Sequence, residues 1–140
     1  MQTFLPYVSY EKSASVLDRQ RLGMQRIEAF RILNALAGLS VGWVHHPVTK
    51  MWRGSELHLA LYGLTVCQEW TNRGYEDNTA IQIESVASLF GPESFVPPKW
   101  LGDSEFHLRH QSNLLRKNPN HYKQYFPNVP DNLEYIYPTD

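Results

Sequence analysis

Apolar residues return at helical spacing in four stretches of this chain, and no stretch shows the strict alternation of a half-buried strand. Ser13 or Ser15 can cap the first, in which Leu22, Ala29, Leu33 and Leu36 fall on one stripe until Gly38 ends it. Residues 38–53 read as a loop holding Gly42, the pair His45-His46 and Pro47. Ser55 opens a second helix that runs to about Gly74. It is apolar nearly all round (Leu57, Leu59, Leu61, Leu64, Val66, Trp70), which places it at the buried centre of the fold. A third helix is expected from about Asn78 to Phe90, stopped by Gly91-Pro92. Pro97-Pro98 marks a linker, and Asp103 or Ser104 caps a fourth helix reaching about Lys117. Pro119 and the segment FPNVPDNLEYIYP read as irregular chain with its aromatics pinned over the core. The pattern therefore predicts one all-α domain over residues 1–140: a compact bundle of three to four helices with long ordered loops and an irregular aromatic C-terminal tail.

Composition narrows the setting. The only cysteine, Cys67, has no partner for an internal disulfide and sits in the apolar second helix, where packing is its expected role. The start MQTFLPYVSY lacks the basic and long apolar regions of a signal peptide, and the longest mainly apolar run, Leu59 to Cys67, is too short for a bilayer. A reduced, cytoplasmic protein without membrane contact, expected as a monomer, is the default reading.

Charge changes the picture through its distribution. The formal net charge is −1, yet residues 1–53 carry seven Lys/Arg against three Asp/Glu, residues 54–105 two against eight, and residues 106–126 four against none. Two basic blocks flank an acidic middle. If the blocks meet in space, one face of a nearly neutral protein attracts phosphate. Scatter over a small surface is the alternative that charge alone leaves open.

Two segments concentrate candidate chemistry. In LDRQRLGMQRIEAFRIL, Arg21, Glu28 and Arg31 project within about a quarter-turn of one another. They read either as a surface ion pair of Glu28 with Arg31, or as a half-sheltered carboxylate among arginines (Arg21, Arg26, Arg31) able to contact phosphates. In LLRKNPNHYKQYF, the cations Arg116, Lys117 and Lys123 stand with His121, Tyr122 and Tyr125, without an acid. Phosphate contact plus base stacking is one reading, with Tyr122 and Lys123 facing nucleic acid and Phe126 buried. The other is a solvated helix end over core aromatics. In GWVHHPVTKMWRG, the aromatics anchor a loop from which His46, Lys50 and Arg53 approach the same partner. Adjacent histidines, even with His58 or Glu56 nearby, are a weak metal signal, so no metal is assigned. His107 and His110, spaced i,i+3, read as surface residues.

The run Asp18, Gln20, Leu22, then Glu28 and Arg31, resembles the first helix of the phage endonuclease V family, the pyrimidine-dimer DNA glycosylases with AP-lyase activity. PNHYKQYF is similar to that family's Pro-x-Trp-Tyr-Lys-Tyr-Tyr segment, with His121 in place of Trp and Gln124 in place of Tyr. The segments MQTFLP, GWVHHPVTKMWRG and LLRKNPNHY also resemble small bacterial and phage proteins grouped with it. The resemblance implies a DNA-repair enzyme that acts on duplex DNA with damaged or abasic sites and needs no cofactor. Its nucleophile would be the chain's leading α-amine attacking C1′, followed by a Schiff base and β-elimination. An α-amine, with a generic pKa near 8, keeps about a tenth of its population neutral at pH 7. Glu28 matches the family's glutamate, which stabilises developing positive charge and moves protons, and Arg31 would hold a phosphate. Where the family exposes a threonine after losing its initiator methionine, this chain has Gln2, so the amine belongs to Met1 or to Gln2. A non-catalytic DNA- or RNA-binding module on the same scaffold is the alternative.

Overall fold

The chain begins its first helix earlier than Ser13. In the computed structural model, which describes residues 1–139, the Ser9 hydroxyl accepts the Lys12 N–H (3.0 Å) and α1 spans Tyr10–Val16. Leu17 and Asp18 are extended, and α2 then spans Arg19–Leu36. The expected single first helix is thus two. The break has a tertiary cause: the Asp18 N–H donates to the Tyr122 hydroxyl (3.0 Å) from the far end of the chain, and that hydroxyl donates to the Asp18 carboxylate.

Two further helices lie where loop and tail were expected. Pro47 and Pro119 start helices instead of breaking them, because a proline at the first helical position loses only an N–H that has no intrahelical partner. α3 is Pro47–Trp52, capped by His46, whose Nδ1 accepts the Val48 N–H (3.0 Å). The last helix, α7, is Pro119–Tyr122, capped by Asn118 through the His121 N–H. Between them lie α4 (Glu56–Asn72), α5 (Ala80–Ala87), a 3₁₀ turn at Pro92–Ser94 and α6 (Ser104–Lys117). The described residues hold seven α-helices and no strand, so the fold is all-α as expected but the count of three to four is corrected.

α4 packs against α1, α2 and α5 and is the central element, as its apolar surface requires. Helices α2 and α4 meet closely at Gly63, where an added Cβ would lie 3.0 Å from Ala29 Cβ and 2.9 Å from Ile83 Cδ1. Trp52, Tyr62, Tyr122, Phe106 and Leu114 are among the fully buried side chains.

The buried N-terminal segment positions everything discussed below. Residues 2–6 belong to no helix, so their backbone polar groups need other partners. Side chains supply them. Gln25 Oε1 accepts the Phe4 N–H (2.9 Å), and the Tyr62 hydroxyl donates to the Phe4 carbonyl (3.0 Å). His110 Nδ1 accepts the Leu5 N–H (3.0 Å), His107 Nδ1 donates to the Leu5 carbonyl (2.8 Å), and Gln111 donates to the Pro6 carbonyl (2.8 Å). His107 and His110 are therefore buried clamps and not surface residues.

The tail is irregular, as expected, but fastened. Arg116 donates to the carbonyls of Asp131 (2.9 Å) and Leu133 (3.3 Å), and Ser112 accepts the Leu133 N–H (3.0 Å). Phe126 is buried, and Tyr135 and Tyr137 pack against the core. Among the described residues no helix is long and apolar enough to cross a membrane.

Candidate active groove

The clamped N-terminal segment leads directly to a carboxylate. The Gln2 N–H points at Glu28 Oε2 at 3.4 Å, at the edge of hydrogen-bond range. Gln25, one turn before Glu28 on α2, ties the two together. Its Nε2 donates to the Gln2 carbonyl (2.7 Å) and to Glu28 Oε2 (2.9 Å), while its Oε1 accepts from Phe4 and from the Tyr62 hydroxyl (2.5 Å). One buried amide thus uses both ends to fix the chain start against the helix. Nothing in its type or spacing marked Gln25 beforehand. A buried glutamine on an apolar stripe is the only trace it leaves in the sequence.

Met1, Gln2 and Glu28 line a groove of about 310 Å³, with Arg21 and Lys117 among its cations and Tyr135 and Tyr137 from the tail. Arg21 is held by Asp18 (3.2 Å). Burial, reinforced by the charge of Glu28, raises the pKa of Tyr62 and keeps its hydroxyl a donor. The Tyr135 hydroxyl is also pushed up, chiefly by burial. Two polar atoms at this groove, Gln2 Nε2 and the Tyr135 hydroxyl, are buried without a hydrogen-bond partner.

The other candidate residues divide sharply. Arg31 is exposed on α2 and in no ion pair among the described residues. Lys50 and Arg53 line a second, larger groove of about 660 Å³ with Lys99 and Trp100, which Pro138 of the tail borders. His46 stands beside the first groove: its ring meets Tyr137, which lines that groove, edge-on at 6.1 Å. Its pKa is lowered by burial and then by the nearby leading amine. Lys123 is exposed and Tyr125 half-exposed.

Four of the expected nucleic-acid contacts have partners within the fold. Tyr122, expected to face nucleic acid, is fully buried, because its hydroxyl serves Asp18. Arg26 is spent on Asp77 (2.6 Å) and on the face of Trp70 (4.5 Å). Arg116 pins the tail, and His121 Nε2 donates to the Val16 carbonyl (2.8 Å), fastening α7 to α1. Burial and the Asp77 carboxylate push the Cys67 thiol up to about 12, which keeps it unreactive.

Fold and site together define a small all-helical domain whose leading residues and one glutamate share a groove rimmed by cations. Within that class the match is specific. Residues 1–83, more than half of the chain, match the family described as pyrimidine dimer DNA glycosylase, and the chain belongs to that family. Its role is accordingly catalysis in DNA repair at the level of the family. No curated protein and no solved structure matches the chain.

Proposed function

We propose that the protein is a DNA glycosylase and AP lyase that uses its leading α-amine and Glu28 on a damaged or abasic nucleotide in duplex DNA. The carrying observation is the 3.4 Å approach of the Gln2 nitrogen to Glu28 Oε2, braced by Gln25. With Met1 in place that nitrogen is a peptide N–H and the amine lies one residue outward, still lining the groove. Loss of Met1 would turn the Gln2 nitrogen itself into the amine, already beside the carboxylate.

In either form the neutral amine attacks C1′. The bond from C1′ to the base breaks, then the bond from C1′ to the ring oxygen O4′, which takes a proton as the sugar opens. At an abasic site the open-chain aldehyde loses its oxygen as water; either way a protonated imine forms at C1′. Glu28 stabilises that positive charge. A carboxylate so placed then takes a proton from C2′ as the bond from C3′ to the phosphate oxygen breaks. Arg21, Lys117 and Arg31 hold phosphates around the site.

Substituting Glu28→Gln tests this reading, since the amide keeps the shape and loses the proton chemistry. Cleavage of abasic-site duplex is expected to fall at least about 100-fold with DNA affinity nearly unchanged. Equal cleavage by both proteins would remove Glu28 from the chemistry.

A further inference from the structure

The segment between α2 and α3 presents apolar side chains to solvent, of which Leu39 also borders a shallow groove with Phe30 and Ile81. Val41 is 95% exposed, Leu39 59% and Trp43 42%, at alternate positions of one loop. Trp43 is the only non-glycine described residue with positive φ (67°), a conformation that bulky side chains rarely adopt. That backbone sets the indole edge-on to His46 at 5.3 Å. His46 in turn meets Tyr137, which lines the groove with Glu28. The loop tip is therefore two ring contacts from the candidate active groove.

Its electrostatic setting names the partner. No Asp or Glu occurs from residue 29 to 55, a span that holds Arg31, Lys50 and Arg53. All three cations are exposed, and none makes an ion pair among the described residues. An apolar tip flanked by unpaired cations suits a polyanion with an apolar interior. A base-paired duplex has that construction, with charge outside and stacked rings within.

We propose that Leu39 and Val41 form a wedge that enters the base stack next to the target nucleotide, with Trp43 and His46 bracing the loop against the groove. Removing a nucleotide from the stack leaves a gap, and apolar side chains that enter it hold the duplex kinked while the sugar reaches the site. This inference rests on the function proposed above. The leading amine is close enough to His46 to help lower its pKa, which agrees with the placement.

The test uses a duplex carrying a tetrahydrofuran abasic analogue, which offers no aldehyde to an amine, beside the fluorescent base 2-aminopurine. Wild-type protein is expected to raise the fluorescence on binding as the neighbouring base unstacks. The double variant L39N/V41N, altered only at exposed positions, is expected to lose most of that rise and to bind roughly tenfold more weakly. It should cleave a true abasic site in single-stranded DNA at the wild-type rate and lose activity only on duplex. The wedge is overturned if the variant unstacks the probe as wild type does, or if wild type binds without any rise. It is also overturned if the variant abolishes a wild-type dimer in sedimentation while distortion of DNA persists, which would assign the loop to a second copy of the chain. Failure of the underlying reading looks different: wild type would form no borohydride-trapped adduct with true abasic DNA, whatever the probe shows.

Discussion

Acidification from pH 7 to 4.5 is expected to remove about 2–3 kcal/mol of stability through one side chain, His110. His110 is fully buried, among the rings of Phe4, Phe106 and Tyr135, and its Nδ1 accepts the Leu5 N–H. Burial, with a smaller push from His107, lowers its pKa to about 3 from an ordinary value of 6.5. The folded state therefore resists protonation that the unfolded chain accepts. The stabilising contribution is complete above pH 6.5 and is lost as pH falls toward 3, because over that window the unfolded chain binds nearly one more proton. Each pH unit then costs about 1.4 kcal/mol. His46 and His58, also lowered by burial, act in the same direction, so wild type alone does not isolate the effect. His110→Asn does isolate it: the amide oxygen can accept from Leu5 without titrating. Urea unfolding at a series of pH values should show the variant less stable at pH 7 but with a shallower loss in acid, by about one proton. Parallel curves for the two proteins would refute the reasoning. Leu5 anchors the segment that carries Gln2, so the protection factor of its amide, taken relative to the intrinsic exchange rate at each pH, should fall in acid before the helices open.

Gln25→Ala should cost about 2–4 kcal/mol, since it strands the buried Phe4 N–H and Gln2 carbonyl. It should also free the N-terminus, read as lost exchange protection at Phe4. Gly63→Ala should destabilise by about 1 kcal/mol in thermal unfolding, the crowding of Ile83 and Ala29 outweighing the better helix propensity of alanine.

The sequence was legible where periodicity governs and silent where long-range bonds decide. The apolar surface of α4 announced its central position, and Asp103 caps α6 through the Glu105 N–H as its residue type suggested. The break at Asp18 left no local mark, because its cause is Tyr122, more than a hundred residues away. Pro47 and Pro119 were read as punctuation, although each follows a side chain able to cap, His46 and Asn118, and so signals a helix start. At the candidate site, the family resemblance singled out Glu28, because its type and helical position alone fit a surface ion pair with Arg31 equally well. Gln25 and the tail tyrosines did not stand out, since a glutamine that bridges and an aromatic that closes a groove look like any others until the chain is folded. The internal partners of the cations were hidden for a related reason. Sequence gives the charge of Arg26 and Arg116 but not Asp77 or the tail carbonyls that occupy them.

The central claim is that the leading amine, beside Glu28, is the group that bonds to the sugar. Borohydride reduction of the protein with abasic-site duplex, followed by peptide mass mapping, tests it most directly. The expected result is a covalent adduct on the N-terminal peptide, beginning at Met1 or Gln2. An adduct on Lys117, which lines the same groove, or strand cleavage with no trappable adduct, would contradict it.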